Sequence, residues 1–168
     1  MRLNLREIIE IPGASVPFEC ELAADGLDFP SIERYVAPPR AEGRVYNEAG
    51  VLRLGGSITA DMLCICDRCG CEFPSTKVTR LDATIVEENT GDDPDLFTLD
   101  GDELELDEVL STLFILDMDM KFLCKEDCKG LCPTCGKILN LGPCTCRKQL
   151  DPRFAVLEQL LDKDPDGK

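Results

Sequence analysis

The chain has 168 residues, a formal net charge of −15, eleven cysteines and no histidine. That length suits one domain with a real core and at most a small appended module, and no apolar run approaches the roughly 20 residues a membrane-spanning helix needs. The acidity weighs against a surface that binds a phosphate backbone over its whole extent, and the missing histidine removes the commonest general base and the usual ligand of catalytic zinc.

The opening MRLNLREIIEIPG lacks the basic-then-apolar pattern of a signal peptide, so the expectation is a cytoplasmic protein with reduced thiols. Met1, Leu3 and Leu5 alternate with polar residues, as do Val16, Phe18, Cys20 and Leu22, and both stretches predict strands with one buried face. Pro12-Gly13 marks a turn between them. The stretch from Gly26 to Tyr35 has no clear period, and Pro38-Pro39 ends it. Arg40 to Tyr46 and Val51 to Ile65 flank Asn47-Glu48-Ala49-Gly50, the pattern of a β-hairpin. Gly55-Gly56 in its second arm predicts a bulge or a bend. Lys77 to Val86, rich in β-branched residues, predicts a further strand.

From Glu87 to Glu108 there are eleven acidic residues and no Lys or Arg. Self-repulsion and weak hydrophobicity predict a solvated loop as far as Asp95, with Phe97 and Leu99 adding a short strand. Asp107 is the candidate cap of a helix whose apolar stripe is Val109, Leu110, Leu113, Phe114 and Leu116 or Met118. That helix delivers the chain to Cys124. Farther on, Asp151-Pro152-Arg153 reads as a helix start, with Phe154, Leu157, Leu160 and Leu161 on one face. The expected fold class is α+β: a mainly antiparallel sheet with two or three helices and a C-terminal cysteine-rich zinc module. Residues 1–120 are expected to form the mainly β core with one helix, and 121–168 the zinc module and last helix, packed on that core.

Six of the eleven cysteines fall in the 23 residues from Cys124 to Cys146. In Cys132-Pro133-Thr134-Cys135-Gly136 the spacing turns both sulfurs toward one point, and Cys144 and Cys146 follow as a Cys-x-Cys pair. These four form a self-contained tetrahedral donor set. Cys124 and Cys128 lack partners nearby in sequence, and Cys66-Asp67-Arg68-Cys69 is the other unpaired turn. Joining those pairs makes a second four-cysteine site whose metal-binding energy is folding energy for the domain. Cys64 and Cys71 flank the turn and can stand in for Cys66 or Cys69. A single site at Cys132 to Cys146, with loose thiols elsewhere, is the competing arrangement. Cys20 alternates with Phe18 and Leu22 as a small apolar residue. Four thiolates leave no position open for substrate, which makes a zinc site structural; iron–sulfur clusters share the donor set, but these turn types favour zinc.

Cys66-Asp67-Arg68-Cys69 after a strand, the helix LELDEVLSTLFIL, and the run LCKEDCKGLCPTCGKILNLGPCTC with DPRFAVLEQL behind it together resemble the YceD family. These are bacterial large ribosomal RNA subunit accumulation proteins that also occur in chloroplasts. The resemblance covers roughly the last two thirds of the chain. It implies a role in making or stabilising large-subunit ribosomal RNA, and hence in ribosome assembly. It also supports treating Cys66 and Cys69 as one unit with the start of the later cysteine run. Asp117-Met118-Asp119-Met120-Lys121-Phe122 departs from the family pattern, which usually has prolines there.

The resulting expectation is a non-catalytic factor with zinc in two sites, partnered by ribosomal RNA or the pre-ribosomal large subunit, and with no membrane partner. From Lys121 to Arg153 there are seven Lys and Arg against three Asp and Glu, a basic island on an acidic body. Lys125, Lys129, Lys137, Arg147, Lys148 and Arg153 are its candidate phosphate contacts; the plain alternative is that they keep the module soluble. A different reading is an adaptor that holds basic ribosomal proteins through Glu87 to Asp95 without touching RNA. A thiol redox enzyme would require an exposed, low-pKa pair at Cys66 and Cys69. A magnesium nuclease would need Asp92, Asp93 and Asp95 clustered, and a solvated loop explains those residues better.

Overall fold

The computed structural model describes residues 1–24, 26–87 and 96–146 of the chain. In chain order the elements are β1 (Arg2–Asn4), α1 (Arg6–Ile9), β2 (Ser15–Glu21), β3 (Ile32–Tyr35), β4 (Arg40–Glu48), β5 (Val51–Ile65), β6 (Glu72–Val86), β7 (Leu96–Thr98), β8 (Glu103–Glu105) and α2 (Leu106–Leu116). A single 3-10 turn, Leu139–Leu141, follows among the cysteines.

The long hairpin of β5 and β6 is the axis of the fold. Its two 15-residue strands pair antiparallel from Leu52↔Ile85 to Ile65↔Glu72 without a register shift. The period of two puts Leu52, Leu54, Ile58, Ala60, Met62 and Cys64 on one buried face, joined by Leu81, Ala83 and Ile85 of β6. Along the other edge of β5, β4 takes the first part and β3 the end, both antiparallel. β2 adds outside β4, and β7 joins β6 in parallel, giving the order β2-β4-β5-β6-β7 with β3 on β5. β1 and β8 form a separate two-stranded ribbon. α2 buries Leu106, Val109, Leu110 and Phe114 in the same core, where Phe114 meets Phe29 edge-on at 6.4 Å. The chain is therefore α+β and mainly antiparallel, with a C-terminal cysteine cluster.

The hairpin expected around Asn47-Glu48-Ala49-Gly50 is β4–β5, and its loop shrinks to Ala49 and Gly50. Both have positive φ, 55° and 95°, as a turn matched to the strand twist demands. Buried Asn47 anchors the turn: its amide donates to the carbonyls of Ile8 and Ile9 at 2.9 and 2.7 Å, while its oxygen accepts from the Gly50 amide at 2.8 Å. One side chain thus ties α1 to the hairpin.

Two expectations are corrected. Gly55-Gly56 makes no bulge, since the register runs unbroken through Arg44↔Gly55 and Gly43↔Gly56. Glycine is needed because the backbones press together: a Cβ on Gly43 would collide with the Gly55 carbonyl, and one on Gly56 with that of Glu42. Asp107 does not cap α2; the cap position is Glu105, without a side-chain bond. Asp107 stands in the first turn, where a negative charge suits the helix dipole, and its carboxylate meets the amino group of Met1. The helix expected from Asp151 and most of the acidic loop lie outside the described residues.

The exit of α2 leads straight to the cysteines. Lys77 of β6 reaches the carboxylates of Asp117 and Asp119 at 3.4 and 3.2 Å, and Phe122 is buried in the main core. Ion pairs and one aromatic anchor hold this segment, which departs from the proline pattern.

Candidate metal centre

Cys66-Asp67-Arg68-Cys69 forms the loop of the long hairpin, between the end of β5 and the start of β6. The Cys66 amide donates to the Cys71 carbonyl at 2.9 Å, and the Gly70 amide to the Cys66 carbonyl at 2.8 Å. The same two bonds recur in the second turn, from the Cys132 amide to Lys137 and from the Gly136 amide to Cys132, at 2.9 and 2.8 Å. Gly70 and Gly136 have nearly equal φ, 69° and 70°, a left-handed conformation in which a side chain is strained. The sequence Cys-x-x-Cys-Gly therefore builds one turn twice, each time with both thiols on the same side.

The sulfurs of Cys66, Cys69, Cys124 and Cys128 all lie within 4.8 Å of one another, and so do those of Cys132, Cys135, Cys144 and Cys146. Each of these quartets could hold a metal ion. Across the first, Cys66 and Cys128 are 3.8 Å apart and Cys69 and Cys124 3.7 Å; in the second, Cys132 and Cys144 are 3.4 Å apart. A tetrahedron with zinc–sulfur bonds of about 2.3 Å has edges of about 3.8 Å, which matches these two crossing pairs of the first quartet. Cys64 and Cys71 do not join it: Cys64 is buried in the sheet core, and the Cys71 thiol turns to the Cys69 carbonyl. Cys20 packs, partly buried, against the main core.

The surroundings favour negative charge on selected sulfurs. Burial pushes the Cys66 thiol up, but the amides of Cys124, Arg68 and Cys69 outweigh it and draw the group to about 6. At Cys132 the amides of Cys135 and Thr134, with the Cys144 thiol, likewise bring it to about 6. Burial also raises Cys128, yet the Asn140 side chain and the Gly130 amide turn its net shift downward. Other members move the opposite way. Neighbouring Cys135, together with burial, holds Cys146 at about 12, and burial with the Cys128 thiol raises Cys124. In each quartet the thiolates thus compete for a limited supply of positive partners. A divalent cation relieves that competition and lets all four ionise.

Three side chains brace the first quartet, and two of them, Asp67 and Arg68, join its halves. Asp67 accepts from the Phe122 amide at 2.6 Å and from the Ser31 hydroxyl at 2.6 Å, while its own amide donates to the Phe122 carbonyl at 2.9 Å. Those bonds, the Ser31 hydroxyl foremost, lower the Asp67 carboxyl. Arg68 donates to the Cys128 carbonyl at 3.0 Å. Asn140, on the 3-10 turn, donates to the Cys128 sulfur at 3.1 Å and lies 3.9 Å from that of Cys124. Asp67 and Arg68 sit inside the Cys-x-x-Cys motif, where their roles had a signal. Asn140 had none.

The basic candidates separate. Lys125 lies 3.7 Å from Asp127, and the Lys137 ammonium donates to the Pro143 carbonyl at 2.9 Å. Lys129 gives its backbone amide to Asn140 at 2.9 Å, and its ammonium forms no ion pair with a described residue. Arg147, Lys148 and Arg153 lie outside the described residues. No described helix is long and apolar enough to cross a membrane.

A sheet hairpin and a C-terminal segment that each supply half of one four-cysteine cluster, with a second cluster alongside, define a class of small α+β proteins built around paired thiol quartets. Residues 54–161 match the family described as "Large ribosomal RNA subunit accumulation protein YceD", and the chain belongs to that family. It is 25% identical to "Uncharacterized protein YlbN" of Bacillus subtilis (strain 168), over 99% of this chain and 100% of that one. It is 33% identical to "Uncharacterized protein Mb2951c" of Mycobacterium bovis over 38% of this chain and 30% of that protein. The likeness to "Large ribosomal RNA subunit accumulation protein YCED homolog 1, chloroplastic" of Zea mays is 25%, over 61% of this chain and 46% of the maize one. No solved structure matches.

Proposed function

We propose that this protein is a non-catalytic zinc-binding factor that supports the synthesis, processing or stability of large-subunit ribosomal RNA, through contact with that RNA or the assembling subunit. The observation that carries the reading is the family match, whose residues 54–161 include every member of both quartets. In the proposal Cys66, Cys69, Cys124 and Cys128 hold one zinc, and Cys132, Cys135, Cys144 and Cys146 another. A metal held by four thiolates has no open position, so it supplies a cross-link and no chemistry. Burial of Cys66 and Cys69 favours this over thiol redox exchange, which needs an accessible sulfur. Residues 121–168 act as a module stapled to the core through Cys66 and Cys69, with Lys125, Lys129, Lys137, Arg147, Lys148 and Arg153 facing RNA phosphates. The acidic body meets basic ribosomal proteins, and the whole acts in the cytoplasm.

The test is a strain lacking the protein, scored by the ratio of large-subunit to small-subunit ribosomal RNA. The ratio falls, the unsubstituted chain restores it, and a Cys66→Ser, Cys124→Ser chain does not. An unchanged ratio in the deletion strain overturns the functional reading. Direct RNA contact is tested separately by binding that weakens steeply with salt and drops on Lys129→Glu. Binding that ignores salt, or is undetectable on both naked RNA and assembly particles, removes that part.

A further inference from the structure

The two quartets are not independent neighbours. The turn Leu139–Leu141 lies in the loop between Cys135 and Cys144, so the second quartet brackets it on both sides. Yet the side chains of that loop serve the first quartet. Ile138 packs against the cluster of Cys66, Cys69 and Cys128. Asn140 points its amide at the Cys128 sulfur, 3.1 Å away, with Cys124 at 3.9 Å. Its oxygen is occupied by the Lys129 amide at 2.9 Å, which fixes the side chain with its nitrogen toward the thiols. The loop is itself pinned in place: the Leu139 amide donates to the Gly130 carbonyl and the Cys132 amide to the Lys137 carbonyl, both at 2.9 Å. Leu131 and Ile138 form an isolated bridge beside them.

We infer that Asn140 is a positioning residue for metal in the first quartet, presented by the loop that the second quartet closes, so that filling the second site strengthens the first. The inference rests on the reading of both quartets as metal sites. An N–H aimed at a thiolate lowers its charge density without taking a coordination position, and it holds the sulfur's lone pairs in a chosen direction. Removing such an outer partner of a metal ligand typically weakens binding about 10- to 100-fold. Coupling of this kind is reciprocal, because each site gains when the shared loop is ordered.

The experiment uses the full chain loaded with cadmium-113, in which each four-thiolate site gives its own resonance; loss of one in Cys124→Ser assigns the first site. A competing chelator is then titrated against the unsubstituted chain and Asn140→Asp. The Asp side chain keeps the oxygen that accepts from Lys129 but replaces the N–H with a negative charge. The first-site resonance shifts and is lost at about 10- to 100-fold lower chelator strength, while Asn140→Gln recovers part of the loss. A Cys144→Ser, Cys146→Ser chain, whose fold is checked by circular dichroism, shows the same weakening of the first site. Adding Asn140→Asp to it has little further effect, as expected for a shared pathway. An Asn140→Asp chain with an unmoved first-site resonance and unchanged affinity overturns the inference while leaving the metal reading intact. Two full and additive losses overturn the coupling. Failure of the unsubstituted chain to take up cadmium at either quartet overturns both the metal reading and this one.

Discussion

Denaturing the metal-loaded chain should change the relative strength of the two quartets in a direction set by chain connectivity. The crossing pair of the first quartet, Cys69 and Cys124, is separated by 55 residues, whereas Cys132 and Cys144 of the second are separated by 12. In the folded protein the β5–β6 hairpin, the Asp67 bonds to Phe122 and the burial of Phe122 bring the distant halves together before metal arrives. In urea that help disappears, and each site must close its own loop at a cost that grows as 1.5RT times the logarithm of loop length. The two lengths differ enough to handicap the first quartet by about 1.3 kcal/mol, roughly tenfold in relative affinity. The assay is a chelator titration of the cadmium-113 protein in buffer and in denaturing urea, with both resonances followed. The ratio of first-site to second-site affinity falls roughly tenfold in urea. A ratio that stays constant, or that moves in favour of the first quartet, would refute the idea that the fold pre-assembles this site.

Further outcomes follow from the core and the turns. Phe114→Ala removes a fully buried ring and its contact with Phe29, and is expected to cost about 3–5 kcal/mol in urea unfolding; a loss below about 2 kcal/mol would contradict its place in the core. Ala49 holds φ at 55° in a turn that favours Asn-Gly, so Ala49→Asn is expected to gain about 1 kcal/mol, and an unchanged or lower stability would count against the turn assignment. Burial, with the charges of Asp28 and Cys64, raises the Tyr35 hydroxyl from 10.0 to about 12. The neutral form is the one favoured by folding. This contribution is therefore fully present below pH 10.0 and is lost as pH rises toward about 12. Phenolate absorbance should show a step near that upper value that disappears in Tyr35→Phe, and a titration already complete well below it would contradict the burial.

The fold was legible where local chemistry and period agreed. Alternation marked β2, the turn residues between two strand-like runs marked the β4–β5 hairpin, β-branched residues marked the second half of β6, and the helical stripe marked α2. Long-range choices left no such trace. Alternation at Met1, Leu3 and Leu5 marked β1, but its pairing with β8 through Leu3↔Leu104 spans about a hundred residues, and β8 has only three residues of its own, too few for a periodic signal. α1 is a single turn held by Asn47 from a distant strand, a partner that no helix pattern encodes. Gly56 was visible, but its reason, close contact with the backbone of Glu42 and Gly43, exists only once β4 lies alongside.

The cysteines show the same boundary. Spacing grouped them into the quartets that the fold assembles, because each Cys-x-x-Cys-Gly turn is a local structure with its own hydrogen bonds. Spacing had already chosen Cys66 and Cys69, but setting aside Cys64 and Cys71 as substitutes needed the hairpin itself, which turns Cys64 into the sheet and leaves the loop thiols facing Cys124 and Cys128. Asn140 could not be singled out in advance. Its importance comes from the second loop folding back over the first quartet, a contact that depends on Gly130 and Leu139 meeting.

The central proposal is that the chain closes two metal sites, the first of which staples the β5–β6 hairpin to the C-terminal segment. Elemental mass spectrometry of the protein purified without added metal tests it most directly. The account predicts close to two zinc ions per chain, one for each quartet. Close to one would contradict the staple between the hairpin and the C-terminal segment, and iron in place of zinc would contradict the closed structural site.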